Sequence, residues 1–485
     1  MTKPRHTLPI LRGLLLGVAC SAALVAIWPS LAGPLPWNAL HPERRLVLAA
    51  AVVLLLLVRL PERWLERLVP LALTSVMALC ICELALRIAL REEFGRKVIL
   101  DDYLLYRILP NAKSTFRHLP ANGQAVIHVR YDSLGNRASS VGNQQNSHPL
   151  LVFGDSFIAA EFSEDTATFT ERLGSLLRKR NGDLSGAVNA GVVGYGPDQV
   201  LLRIPAALDL IRPSRVVIAV FAGNDFGDVL RNRLFRLDSA GRLQGQHAAL
   251  DESIRRQEMS ANSRWYLAKL VFRIRNSSLP LDTSATENAT RSRQLVETWR
   301  QERSVEFVQA MRGDTVVTNL YNDTPDVDIQ IDPAATSSRY KLDLTAAVLD
   351  SIRTILVGKS IPLTVVIIPS AIDIMPGYDG GVIDPARYPA YHSAFATAAL
   401  ASRLRRRGIR SIDLFPAFSV YQGVPLYFRG GDNHWTDAAQ SLAAKIVADS
   451  LMATASVDTR SSGPDLPVVR TDGGPVTSRR LPSSY

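Results

Sequence analysis

Ser156 stands in Gly-Asp-Ser-Phe, directly after the apolar run at residues 150–153. A serine hydroxyl is a poor nucleophile until a base takes its proton, and histidine is the side chain suited to that task near neutral pH. His434, in GDNHWTDAA, is the candidate base, and Asp432 is the candidate to hold its tautomer. Acyl transfer through such a serine develops an oxyanion, which needs fixed donors. The backbone N–H of Ser156, the N–H of Gly194 in NAGVVGYG and the side-chain amide of Asn224 in FAGNDF supply three candidates. The Ser156 hydroxyl is therefore expected within hydrogen-bond reach of His434, with Gly194 and Asn224 facing the same point.

The elements around these residues have the rhythm needed to bring them together. Short apolar runs at 150–153, 187–190 and 216–222 alternate with helical stretches at about 165–180 and 197–211. That alternation implies parallel strands with right-handed crossovers. The pattern breaks between about 230 and 338, which reads as an insertion with a helix near 290–312. It resumes with a helix at about 343–357, a strand at 362–369, a helix at about 388–407, a strand at 410–415 and a last helix at about 436–452. In an open parallel sheet, ligands bind beyond the carboxyl ends of the strands, where Ser156, Gly194 and Asn224 all fall. The expected fold is a three-layer α/β/α parallel sheet over residues 150–453. Residues 96–149 form a lead-in of short strands and turns, and 454–485 a disordered tail rich in Ser, Thr, Pro, Asp and Arg.

Each motif has a plainer reading. Ser156 is also a good helix N-cap. Asp155 and Asp225 suit turns, Asn224 can shape one, and a lone histidine before a helix is commonly incidental. Trp435 suits packing or sugar stacking, Asp413 a strand end and Asp437 a helix start. The joint order of the four motifs, each at a strand end or helix start, favours the chemical reading.

Upstream, residues 8–33, 46–60 and 69–90 are three apolar stretches, expected as a bundle of about three transmembrane helices within residues 1–95. A cleavable signal peptide is the competing reading of the first, but its apolar stretch is long and two more follow. Glu83 and Arg87, spaced i,i+4, are expected to pair near the end of the third. Lys3, Arg5, Arg63 and Arg67, weighed against Arg44 and Arg45 in the opposing loop, mildly favour a cytoplasmic N-terminus and an external catalytic part, while Arg91, Arg96 and Lys97 pull the other way. The expected location is a bacterial inner membrane, multi-pass, with the catalytic domain periplasmic or extracellular.

The net charge of +10 is spread along 485 residues without a basic, aromatic-interleaved run, so no nucleic-acid partner is expected. The three cysteines, Cys20, Cys80 and Cys82, all lie in the apolar N-terminal stretches, and the eight histidines show no ligand spacing. No metal or cofactor is expected, and the glycines at 191, 194 and 196 do not form a dinucleotide fingerprint.

The four motifs, GDSF, NAGVVGYG, AGND and DNHW, resemble in this order the four blocks of the SGNH/GDSL hydrolase superfamily. The resemblance covers about 150–230 and 340–453. It implies Ser156 as nucleophile, Gly194 and Asn224 as oxyanion donors, and Asp432 and His434 as the rest of a triad. One departure stands out: many members place the acid three residues before the histidine, where this chain has Gly431. The Asp-x-His spacing is similar to that of SGNH-like polysaccharide O-acetyltransferases, including those of alginate acetylation. The implied function is ester hydrolysis of O-acyl groups, acetyl esters of a cell-surface glycan among them. Two alternatives stay open: an O-acetyltransferase acting on an exported polysaccharide, served by a membrane partner that supplies acyl groups, and a non-catalytic membrane assembly protein that keeps the fold. The partners implied are an acyl-ester or glycan substrate and the lipid bilayer.

Overall fold

The structure is a computed structural model. It describes residues 61–94, 97–119, 124–138, 148–181, 186–255, 265–276, 285–318, 320, 325–375, 378, 382–428 and 433–461, with scattered positions between 9 and 59. The chain divides into two units, one of residues 1–91 with 264–277 and one of 92–263 with 278–485.

In the first unit, α1 (Glu62–Ala89) contains the stretch Arg67–Ala89, 23 residues with a mean hydropathy of 2.1. At 1.5 Å per residue this stretch is roughly 34 Å long, enough for a bilayer core of about 30 Å. It is the one helix among the described residues that is long and apolar enough to cross a membrane. The expected spans at 8–33 and 46–60 are helical at their scattered described positions up to residue 58, with a turn at Arg59, but otherwise lie outside the described residues, so the bundle of three is not seen as such. Glu83 pairs with Arg87 at 2.8 Å, as its spacing suggested. The Glu83 carboxylate also accepts the N–H groups of Tyr266 and Leu267, at 2.9 and 3.0 Å, in the first turn of their helix (residues 266–276). Part of the expected insertion therefore belongs to the first unit rather than to the second.

The second unit opens with two antiparallel hairpins, β1 (Val98–Asp101) with β2 (Leu105–Ile108) and β3 (Lys113–Leu119) with β4 (Gln124–Arg130). Then come β5 (Leu150–Phe153), the single-turn α2 (Ser156–Ala159), α3 (Phe169–Asn181), β6 (Ala187–Asn189), α4 (Pro197–Ile211), β7 (Arg215–Phe221) and α5 (Asp225–Arg231). After the inserted segment come α6 (Ala285–Met311), α7 (Val327–Ile331), α8 (Thr336–Val357), β8 (Leu363–Ile368), α9 (Phe395–Arg406), β9 (Arg410–Asp413) and α10 (Asp437–Ser461). The sheet order is β9-β8-β7-β5-β6, with every neighbouring pair parallel.

Successive residues of these strands face opposite sides, so the sheet supplies two cores. Leu151, Phe153, Val216, Ile218 and Val220 pack with α4, α8 and α9 on one face. Leu150, Val152, Val217, Ala219 and Phe221 pack with α3 and α10 on the other. This is the expected three-layer α/β/α arrangement. One boundary needs correction: the last helix continues through Ser461, so the tail assigned to 454–485 begins in helix, and residues 462–485 lie outside the described residues.

The lead-in is also more than a spacer. Leu105, Tyr106, Ile127, Val129 and Tyr131 build a third core with Val192 and Tyr195 of the glycine-rich loop and with Leu234, Leu250, Ile254 and Val317 of the inserted segment.

Candidate active site

The central strands end at the chemistry-bearing residues. Ser156 is the first residue of α2, just past β5, and is 6% exposed. The N-cap is Asp155, not Ser156: its carboxylate accepts the Phe157 N–H at 3.0 Å. This frees Ser156 from the capping role. Among the described residues its hydroxyl and its N–H have no hydrogen-bond partner, so the contact expected with His434 is not formed in this structure.

Two further residues hold the other end of α2. Asn189, at the end of β6, donates from Nδ2 to Ile158 O at 2.6 Å. Arg137, from the lead-in, donates to Ala159 O at 2.9 Å, to Ala160 O, to Ser163 O at 2.6 Å and to Asp165 at 2.9 Å. Ala160 adopts a left-handed φ of +49° within this clamp. Neither Arg137 nor Asn189 was singled out from the sequence. Their partners lie 22 or more positions away, and no local pattern signals such contacts.

The glycine-rich loop lies directly on this turn. A Cβ on Gly191 would sit 2.3 Å from Ala159 N and 2.6 Å from Ile158 C, so no side chain fits there. Val192 N–H donates to Gly154 O at 3.0 Å, and Tyr195 N–H to Val192 O at 3.1 Å. Gly194 has φ +72°, and nothing among the described residues accepts its N–H.

Asn224 follows β7 and is 2% exposed. Its turn is braced on both sides. Asp225 accepts the Phe221 N–H at 2.8 Å. Asp326, returning from the inserted segment, donates its N–H to Gly223 O and accepts the Gly227 N–H. The fully buried Lys341 pairs with Asp326 at 3.2 Å and Asp328 at 2.8 Å. Burial, reinforced by the nearby charges of Asp155 and Asp228, raises the Asp225 carboxyl well above the usual carboxylate range.

His434 is fixed through its backbone and its ring. Residues 426–428 and 434–436 form a small antiparallel pair, with Phe428 N–H donating to His434 O at 3.0 Å. The imidazole stacks on Phe157, the neighbour of Ser156, at 5.5 Å between centroids, and meets the edge of Phe162 at 5.1 Å. Trp435, 2% exposed, packs against Phe157 at 5.3 Å. Asp437 accepts the Ser163 hydroxyl at 2.7 Å, which ties the start of α10 to the loop after α2. Asp413 accepts the Phe415 N–H at the end of β9. Asp432 lies outside the described residues.

The structure thus brings the Ser156 turn, the glycine-rich loop and the histidine segment together at the carboxyl end of the strands. A family model for GDSL-like lipase/acylhydrolases matches residues 152–330, which hold Ser156, Gly194 and Asn224. A second, for the SGNH hydrolase-like domain of the acetyltransferase AlgX, matches residues 332–464, which hold His434. Residues 152–464 therefore carry an SGNH hydrolase-like domain. Similar solved structures include an esterase, EstA, from Pseudoalteromonas sp., at 13% identity over 64% of this chain and 100% of that one, with a TM-score of 0.31. The acetyl xylan esterase AlAXEase is 10% identical over 62% of this chain and 99% of that one, with a TM-score of 0.31. TesA is 14% identical over 62% and 97%, with a TM-score of 0.29. No curated sequence matches the chain.

Proposed function

We propose that this SGNH protein is a membrane-anchored ester hydrolase that removes O-acyl groups, acetyl in the first instance, from a cell-surface glycan. Ser156 attacks the ester carbonyl as His434 takes its proton. The N–H groups of Ser156 and Gly194 and the Asn224 amide stabilise the oxyanion. Collapse expels the alcohol, protonated by His434, and leaves an acyl group on Ser156. Water, activated by the same imidazole, then releases the acid. Asp432 orients the imidazole and stabilises its charged form.

The observation that carries this reading is the meeting, at one strand end, of a serine hydroxyl and backbone N–H groups that are unpaired among the described residues with an imidazole stacked on the adjoining residue. The stretch Arg67–Ala89 supplies the anchor, and the charge bias of the N-terminal segments favours a periplasmic or extracellular catalytic unit.

A second reading, transfer to a glycan hydroxyl, is favoured by the AlgX match over the histidine segment and by the Asp-x-His spacing. Both reactions share one acyl-enzyme and differ only in the acceptor. Incubating the full-length chain with an activated acetyl ester, with and without a glycan acceptor, separates them. Free acetate formed regardless of acceptor supports hydrolysis. Acetyl groups appearing on the acceptor support transfer. Neither product would refute both and leave the non-catalytic assembly reading.

A further inference from the structure

We propose that Tyr106, from the lead-in hairpin, is a positioning residue that latches the Val193–Gly194 peptide so that the Gly194 N–H is presented to a developing oxyanion. The inference rests on the reading of this site as an acyl-transfer centre.

Residues 192–195 form a β-turn closed by the bond from Tyr195 N–H to Val192 O at 3.1 Å. Gly194 has φ +72° while Val193 is not among the positive-φ residues. A positive φ at the third position alone defines a type II turn. Type I and type II turns differ mainly in the direction of the central peptide, which rotates by roughly 180° between them. Here the central peptide is Val193–Gly194. Glycine adopts either sign of φ with similar ease, so residue 194 does not by itself choose between the two.

Tyr106 makes the choice. Its hydroxyl donates to Val193 O at 2.9 Å. The peptide is trans, so its N–H points opposite to its C=O. A carbonyl held by Tyr106 on one side sends the Gly194 N–H to the other, where no described residue accepts it. A rotated peptide would offer a carbonyl oxygen in place of the donor and repel the oxyanion.

The latch is itself rigid. Tyr106 is 1% exposed, and its own carbonyl accepts the Tyr195 hydroxyl at 2.6 Å. The two rings meet edge to face at 5.2 Å. Gln199 Nε2 donates to Leu104 O at 2.8 Å, closing the hairpin onto the start of α4. The hairpin lies outside both family-matched segments, so the lead-in gains a role in the reaction rather than in packing alone.

Tyr106→Phe in the full-length chain tests this, because it removes the hydroxyl and keeps the ring. Hydrolysis of p-nitrophenyl acetate should lose about threefold to tenfold in kcat, since one lost hydrogen bond shifts the ratio of flipped to unflipped peptide by at most about tenfold. The ceiling is the roughly 10²–10³ that a whole donor is worth. KM should stay within about twofold, and the limb of the pH profile that reports His434 should not move. A crystal structure of the variant reads the latch without reference to turnover. A rotated Val193–Gly194 peptide supports it even if the wild type hydrolyses no ester, in which case it is the functional reading that fails. An unrotated peptide overturns the latch, and unchanged kcat in an active enzyme overturns its catalytic consequence.

Discussion

Replacing Arg137 with methionine should destabilise the catalytic unit and slow it together. The Arg137 side chain is 3% exposed, and its guanidinium serves three backbone carbonyls and the Asp165 carboxylate. Methionine fills much of the volume and supplies no donor. Breaking a buried ion pair by removing one partner costs about 3–5 kcal/mol. The carbonyls of Ala159, Ala160 and Ser163 lose their donor at the same time, although solvent entering the loop would recover part of that loss. The left-handed Ala160 also loses the contact that holds it. A net cost of about 4 kcal/mol corresponds to a fall in melting temperature of roughly 10 °C for a unit of this size. Thermal unfolding of the full-length protein, followed by near-ultraviolet circular dichroism, reads it directly. Arg137→Lys should fall in between, because an ammonium keeps the charge without the planar fork. A melting temperature within about 2 °C of the wild type, with kcat unchanged, would show that the clamp neither stabilises the unit nor positions α2.

Asn224→Ala should lower kcat by about 10²–10³ with KM nearly unchanged, as expected for a donor that acts in the transition state; equal losses in kcat and substrate binding would argue for a structural role in the turn. Asp432→Ala should lower kcat by orders of magnitude in steady-state assays, whereas near-normal turnover would mean that Ser156 and His434 work as a dyad. Burial raises the Asp198 carboxyl to about 7, against the opposing hydrogen bonds from Asn232, at 3.1 Å, and from the Gln199 backbone. The folded state therefore holds this proton more tightly than the unfolded chain, and the stability it contributes is complete below about pH 4 and lost as pH rises towards 7. Asp198→Asn should flatten that decline, worth at most roughly 4 kcal/mol, in urea unfolding at pH 5 and pH 8; parallel declines in the two proteins would contradict it.

Much of the sheet was legible because its strands are short, fully buried apolar runs that end in small polar residues. The residues 150–153 and 216–221 could be placed by pattern alone, and Ser156 and Asn224 fell at their carboxyl ends. The plainer readings of Asp155, Asp225 and Asp437 as turn and helix-start residues also match their hydrogen bonds. The supporting layer was not legible. Tyr106 meets Val193 across 87 positions of sequence, and Asp326 meets Gly227 across 99, so neither leaves a periodic trace. The inserted segment read as a break because it is polar and rich in Arg and Ser. Its end nevertheless carries Asp326 and Asp328, which pair with Lys341, buried on α8, and, for Asp326, also with the buried Arg231. A charged residue inside a helix pattern reads as surface until its partner is known. The overrun of α10 past residue 452 has a similar origin, since Ser and Thr weaken a helix without ending it.

The central claim is that Ser156 is a nucleophile activated by His434. Reaction of the full-length protein with a fluorophosphonate, followed by peptide mass mapping, tests it most directly. The account predicts a single adduct on Ser156, none in Ser156→Ala, and labelling slowed by orders of magnitude in His434→Ala. Labelling at another residue, or labelling of Ser156 at the same rate without the imidazole, would contradict it.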